Sequence, residues 1–362
     1  MSVLAPIAVL ALLIVVHELG HFMAARLQGI HVNRFSIGFG PVLWKYQGIE
    51  TEYAVRAIPL GGFVGFPDDD PDSEIPDNDP DLLRNRPILD RAIVISAGVI
   101  ANLLFAYLVF VAQFGALGVP QASEPGVLIP QLASEINSVA AEAGIEPGDV
   151  VLSANGNPFD QSLDVIEDFK TTIEQNAGNP IRLGIQRDDE RLSITIVPRE
   201  SADGRGQIGV GLSHNGTIEF RRASSILEVF TLAANEFQNI FVAILQGFKT
   251  LITNFSEVAG QVAGPVGIVD QGAKFARADI TSLFPFTAAI SINLAIINIL
   301  PLPALDGGQL TFLLIEGLRG KPLPNRIQEN VMQTGIVLLL GLGVLLIVRD
   351  TTQLDVFQNI FR

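Results

Sequence analysis

Four stretches of this 362-residue chain are apolar and free of charge: residues 3–16, interrupted by Pro6 alone, and residues 92–114, 283–305 and 331–348. A helix needs about 20 such residues to cross the hydrocarbon of a bilayer. Lipid offers the backbone no partners, so a segment held there must bond internally. The stretches between them have ordinary soluble composition. The pattern predicts a polytopic α-helical membrane protein with four transmembrane helices and soluble insertions. Only 17% of the residues are charged, against about 25% in a soluble domain, which excludes a freely soluble enzyme.

The net charge of −15, with no basic stripe and no stacking platform, excludes nucleic acid as a partner. With no cysteine, a disulfide framework, an iron–sulfur cluster and a thiol nucleophile are excluded, and any zinc must be held by His and carboxylate. The N-terminal Met-Ser-Val-Leu-Ala-Pro lacks the positive region of a cleaved signal peptide. Cationic residues near span ends set orientation. Arg26, Arg84, Arg86, Arg91, Arg319, Lys321 and Arg326 outnumber Lys274, Arg277 and Arg349 on the other side. This bias puts both short loops in the cytoplasm and residues 115–282 across the membrane.

The expected organisation is a first transmembrane helix over 1–25, a cytoplasmic loop over 26–91 and a second span over 92–114. A β-rich domain follows over 125–200, then a connecting region over 201–282, a third span over 283–305 and a fourth over 331–348. In the first loop, alternation over residues 42–56 with a turn at Gln47-Gly48 predicts a β-hairpin, followed by a glycine-kinked strand around Gly61 and Gly62. Residues 68–81 hold eight acids and three prolines, the composition of a solvated, disordered linker. The turn Ala143-Gly144-Ile145-Glu146-Pro147-Gly148-Asp149 with Asn155-Gly156 resembles the PDZ pattern, which implies capture of peptide C-termini along a sheet edge. Residues 223–255 carry apolar positions at helical spacing, as in an interfacial amphipathic helix or a helix packed on the PDZ-like domain.

The first span ends in His17-Glu18-Leu19-Gly20-His21, the H-E-x-x-H zincin signature. Residues four apart share a helix face, so His17 and His21 can converge on one metal while Glu18 can reach a water without ligating. Ionisable groups inside a bilayer are costly and need compensation, which a shared dication supplies. A catalytic zinc takes three protein ligands, and Asp306, at the end of the third span, is the candidate third ligand at matching depth. His31 and His214, the remaining histidines, lie in turn-like soluble context and read as surface residues.

HELGH in a first span, a PDZ-like insert and Asn298-Ile299-Leu300-Pro301-Leu302-Pro303-Ala304-Leu305-Asp306-Gly307-Gly308 together resemble the site-2 protease family of intramembrane zinc metalloproteases, in its bacterial RseP-like branch. Residues 35–41, 59–64 and 264–268 match as well. The resemblance implies Zn2+ at His17, His21 and Asp306, with Glu18 as catalytic base. It also implies substrate contacts from Asn298, Pro301, Pro303, Gly61, Gly62 and Asn102. The substrate would be a single-span membrane protein, cut at an active site toward the cytoplasm of a bacterial inner or other internal membrane. Two departures stand out: Val99 follows Gly98 where the family often has proline, and there is room for one PDZ-like unit where some relatives carry two. Two other classes remain open here, an anchored zinc peptidase acting on soluble peptides and a membrane-anchored PDZ scaffold without activity.

Overall fold

The computed structural model describes residues 2–353 apart from 71–72, 133–137, 202–203, 259 and 261. The chain opens with α1 (Leu4–Leu27), β1 (Arg34–Gln47), β2 (Glu52–Gly65) and α2 (Ile88–Ala116). The insert runs through β3 (Val119–Ala122), β4 (Val127–Leu128), α3 (Val139–Glu142), β5 (Val150–Ala154), β6 (Asn157–Pro158) and α4 (Val165–Glu174). It continues with β7 (Ile181–Arg187), β8 (Glu190–Ile196), β9 (Arg199–Glu200), β10 (Gly206–Gln207), β11 (Ser213–His214) and β12 (Ile218–Arg221). Then come α5 (Ile226–Thr253), α6 (Phe255–Val258), α7 (Pro265–Ala278), α8 (Leu283–Ile299), α9 (Asp306–Arg319) and α10 (Asn325–Gln353). Two compact units result, one of residues 1–113 with 229–362, the other of residues 114–228.

In the first unit, four described helices are long and apolar enough to cross a membrane: residues 4–27, 88–116, 280–299 and 326–352. The third span is shorter than the 283–305 predicted. A proline strips an N–H from the helix ladder and pushes the residue before it out of the helical region. Pro301 does both, so α8 stops at Ile299 and Leu300 turns extended. The non-helical residues 300–305 lead to Ala304, which takes a left-handed φ of 70°, and α9 starts at Asp306.

Strands β1 and β2 each fold over on themselves, at Gly38 and Gly40 in one and Gly61 in the other, all with positive φ. Phe35 therefore pairs with both Tyr53 and Val64, while Tyr46 also pairs with Tyr53. Four short segments lie side by side in the order 42–47, 52–56, 34–39 and 58–65, which leaves residues 62–65 on an edge. The acidic stretch is not the free, solvated linker its composition suggests. Asp68 accepts from the N–H groups of Leu83 and Arg84, and Asp70 from Asn33 and Arg34. Asp77 pairs with Arg84, and Asp81 with Arg86. Arg34, Arg84 and Arg86, all outside the stretch, answer these carboxylates, so its own composition alone misreads it.

The second unit is built on a sheet of order β11-β4-β5-β7-β8, with β6 on β5. Its core is aliphatic with one buried ring: Ile129, Val151, Phe169, Leu183, Ile185 and Ile196. The unit exceeds the 125–200 predicted for it, because β11 returns to β4 and β12 to β3, while Ile208 enters the core. Strands of two residues are too short to show a period. In this unit Asp149 is 1% exposed and accepts from two of the Arg187 guanidinium nitrogens, at 2.8 and 2.9 Å. Burial pushes the Asp149 carboxyl up, but the Arg187 guanidinium and the Glu146 N–H outweigh it and hold it below the usual range.

A depressed pKa in the folded state stabilises above the unfolded value, and that contribution is lost as pH falls through the folded one. The melting temperature of this unit, followed by the methyl NMR signals of Val151 and Ile185, is therefore expected to drop once pH falls below about 4. Arg187→Ala should lower the melting temperature near neutral pH and flatten that dependence. A wild-type melting temperature independent of pH across this range would refute the assignment.

Candidate metal centre

Helix α1 carries His17 and His21 on one face, and their rings meet edge to face with centroids 4.7 Å apart. Their Nε2 atoms are 3.2 Å apart. From the turn into α9, Asp306 brings Oδ2 to 3.2 Å from His17 Nε2 and 3.4 Å from His21 Nε2. The turn is tight. A Cβ on Gly307 would fall on the carbonyl oxygens of Ile299 and Leu300, so the residue after Asp306 has to be glycine for the chain to double back against the end of α8.

All three donor atoms lie within 4.8 Å of one another, and Asp306 Oδ2 is buried without a hydrogen-bond partner. His21 Nδ1 is 2.8 Å from Val94 O, so that nitrogen carries the proton and Nε2 presents a lone pair. Buried polar atoms are almost always satisfied, and lone pairs converging in a low-dielectric interior repel unless a cation sits among them. Two imidazoles and a carboxylate, with room for a fourth ligand, are the donor set of a catalytic zinc. The residues fit the metal.

Glu18 faces the edge segment of β2. A Cβ on Gly62 would come within 3.0 Å of Glu18 Cγ, and Val64 lines the same cavity as Glu18. Two cavities meet here, sharing His17, Glu18, Gly62, Ala304 and Asp306. One, about 260 Å³, extends along Leu13, Ile14, Leu294 and Asn298 and includes Gly61 and Asn102. The other, about 390 Å³, opens toward Phe66, Leu83 and Gln309. Asn298 Nδ2 lies 3.4 Å from His17 Nε2, and Asn102 Nδ2 lies 3.5 Å from His17 Nδ1. Pro301 and Pro303 line neither of these cavities; they shape the turn that presents Asp306. His31 sits 3.7 Å from Asp79 and His214 bonds the Leu163 carbonyl, so neither joins the cluster.

Other contributors carry no motif. A Cβ on Gly98 would land on His21 Nε2 and come within 2.7 Å of His17 Cε1. Arg91, in the first turn of α2, makes a two-pronged pair with Glu316 of α9 at 2.8 and 3.0 Å. Ala304 donates its N–H to Met332 Sδ at 3.3 Å. Each holds the ligands' surroundings through a contact distant in sequence, and only the spacing of Val94, Gly98 and Asn102 along α2 could have been read in advance.

A histidine pair on a membrane-length helix, joined by a carboxylate from a broken one, is the donor set of a membrane metalloprotease. The model of peptidase family M50 matches residues 5–342, and the chain belongs to that family. A Nostoc sp. protein that carries the name zinc metalloprotease is 67% identical over 98% of this chain and 97% of its own length. The chloroplastic membrane metalloprotease ARASP of Arabidopsis thaliana is 47% identical over 99% of this chain and 80% of its own. Among solved structures, the PDZ domain of an SdrC-like protein from Listeria monocytogenes is 21% identical, covering 24% of this chain and 86% of that one with a TM-score of 0.21. The protein is a zinc metalloprotease with membrane-spanning helices.

Gly98→Ala should push a methyl group into both imidazoles and weaken zinc binding by about 10-fold or more, with α1 and α2 still folded. Zinc per chain after dialysis against a chelator, beside circular dichroism, checks it; undiminished zinc would contradict the contact.

Proposed function

We propose that the protein hydrolyses a peptide bond within or near the transmembrane segment of a single-span membrane protein. The observation that carries this reading is where the ligands stand: His17 and His21 belong to an apolar helix of membrane length, and the 260 Å³ cavity beside them is walled by Leu13, Ile14 and Leu294. A peptidase for soluble peptides would have little use for a site walled this way.

His17, His21 and Asp306 are the residues that would hold zinc, which when bound supplies Lewis acidity to polarise a carbonyl and to acidify a water. Glu18 takes the proton of the attacking water and returns it to the leaving nitrogen, as a general base and then acid. Gly62 packs against the Glu18 side chain, where a Cβ would come within 3.0 Å of its Cγ, so the edge segment of β2 holds the base beside the strand it would receive.

A substrate helix keeps its carbonyls bonded internally and must unwind before attack. The edge segment of β2 at Gly61 and Gly62 offers backbone groups to an extended strand beside Glu18, by strand addition. Asn298 clamps the strand's carbonyl with its amide. Pro301 and Pro303 act indirectly, by ending α8 so that Asp306 and the polar turn face the cavity.

The excess of Arg and Lys in the two short loops supports an active site toward the cytoplasm, with the PDZ-like unit across the membrane. That unit is proposed to meet peptide C-termini along a sheet edge. Helix α5 leaves Ile226, Leu227, Phe230, Leu245 and Ile252 exposed, which suits a helix lying in the membrane surface.

Glu18→Gln should keep zinc yet lower cleavage of a single-span test protein in detergent by about 100-fold or more. Asn298→Ala should retain zinc and cut more slowly. Wild-type protein that hydrolyses soluble peptides but leaves the single-span protein whole would overturn the proposal.

A further inference from the structure

The zinc ligands need their second nitrogens held, since the hydrogen bond made by one ring nitrogen decides which tautomer the other presents. For His21 the holder is a backbone carbonyl, Val94 O at 2.8 Å. For His17 the corresponding nitrogen is Nδ1, and the group that faces it is the Asn102 amide at 3.5 Å. Asn102 is completely buried, and its Oδ1 has no partner. If His17 Nε2 is to offer a lone pair toward Asp306 and His21, the proton must sit on Nδ1, and an NH2 group cannot accept it. Which amide atom faces the ring is assigned from the bonding network. Turned over, the amide sets Oδ1 against His17 Nδ1–H.

Val94, Gly98 and Asn102 follow one another at four-residue steps on α2 and so lie on one face of it. Val94 holds His21, Asn102 holds His17, and Gly98 between them has no side chain because the two imidazoles occupy that space. Asn102 is itself pinned: the fully buried Ser291 of α8 donates its hydroxyl to the Asn102 backbone oxygen at 2.8 Å. We infer that this stripe of α2 is the outer frame of the metal site and that Asn102 is a positioning residue, which sets the tautomer and orientation of His17 rather than gripping substrate. The inference rests on the assignment of zinc to His17, His21 and Asp306.

The test measures zinc affinity by chelator competition, and KM at saturating zinc, for the full chain in detergent. Wild type is compared with Asn102→Leu, which cannot accept a proton, and Asn102→Asp, whose carboxylate can. Asn102→Leu is expected to bind zinc about 10- to 100-fold more weakly with KM unchanged, and to alter the visible spectrum of a cobalt-loaded sample. Asn102→Asp is expected to stay near wild type in both. Wild-type zinc affinity in Asn102→Leu together with a raised KM would make Asn102 a substrate contact and overturn the inference. Equal loss in both variants would mark a packing role and overturn it too. If Asn102→Leu does not accumulate, Asn102→Ser, whose hydroxyl is too short to reach the ring, is measured in its place under the same criteria. Wild-type protein that binds no zinc would instead bring down the ligand assignment itself.

Discussion

Two imidazole nitrogens and a carboxylate oxygen are aimed at one point among membrane-length helices, and the rest of this unit is arranged to keep them there. Three electron-rich atoms within 4.8 Å of one another cannot be left bare where the dielectric is low. The structural cost is spread over several elements. Helix α1 supplies two ligands at once because residues four apart share its face. The third opens a new helix, α9, after the chain has broken out of α8, since an unbroken α8 would carry the polypeptide past the site. Pro301 and the glycines after Asp306 are the chemical means of that break.

Around the ligands stand groups whose work is positional. Val94 and Asn102 address the outer nitrogens of the histidines, Arg91 joins the start of α2 to α9 through Glu316, and Met332 accepts the N–H of the strained Ala304. These contacts tie α1, α2, α9 and α10 to a few atoms. On the substrate side, the two cavities that share Glu18 and Asp306 differ in character, one walled by aliphatic side chains of α1 and α8, the other reaching Gln309 and Phe66.

Much of this was legible in the sequence, for identifiable reasons. HELGH declares itself because its geometry is local: the spacing of His17 and His21 alone puts them on one face. Membrane spans are visible because lipid demands length and apolarity from single segments. Hydropathy overshot the end of the third span, since Leu300, Leu302 and Leu305 are as apolar as the helix they follow and only the prolines mark the break. The inserted unit runs past the 125–200 expected of it because β11 and β12 are two and four residues long and are defined by partners far away in sequence. The acidic stretch reads as free because its own composition does not show that Arg34, Arg84 and Arg86 answer its charges from just outside it or beyond. Val94 leaves no trace in a motif, because it contributes a backbone carbonyl, and Gly98 stands in a family pattern without showing there that its work is to leave space for two imidazoles.

The chemistry of this site depends on where the metal sits. Anomalous diffraction at the zinc edge from crystals of the wild-type protein tests this without reference to activity. The predicted result is one peak among His17 Nε2, His21 Nε2 and Asp306 Oδ2, about 2.0–2.2 Å from each. A peak elsewhere, for instance among His31, Asp79 and Asp81, which also bring donor atoms together, with none at the first cluster, would contradict it.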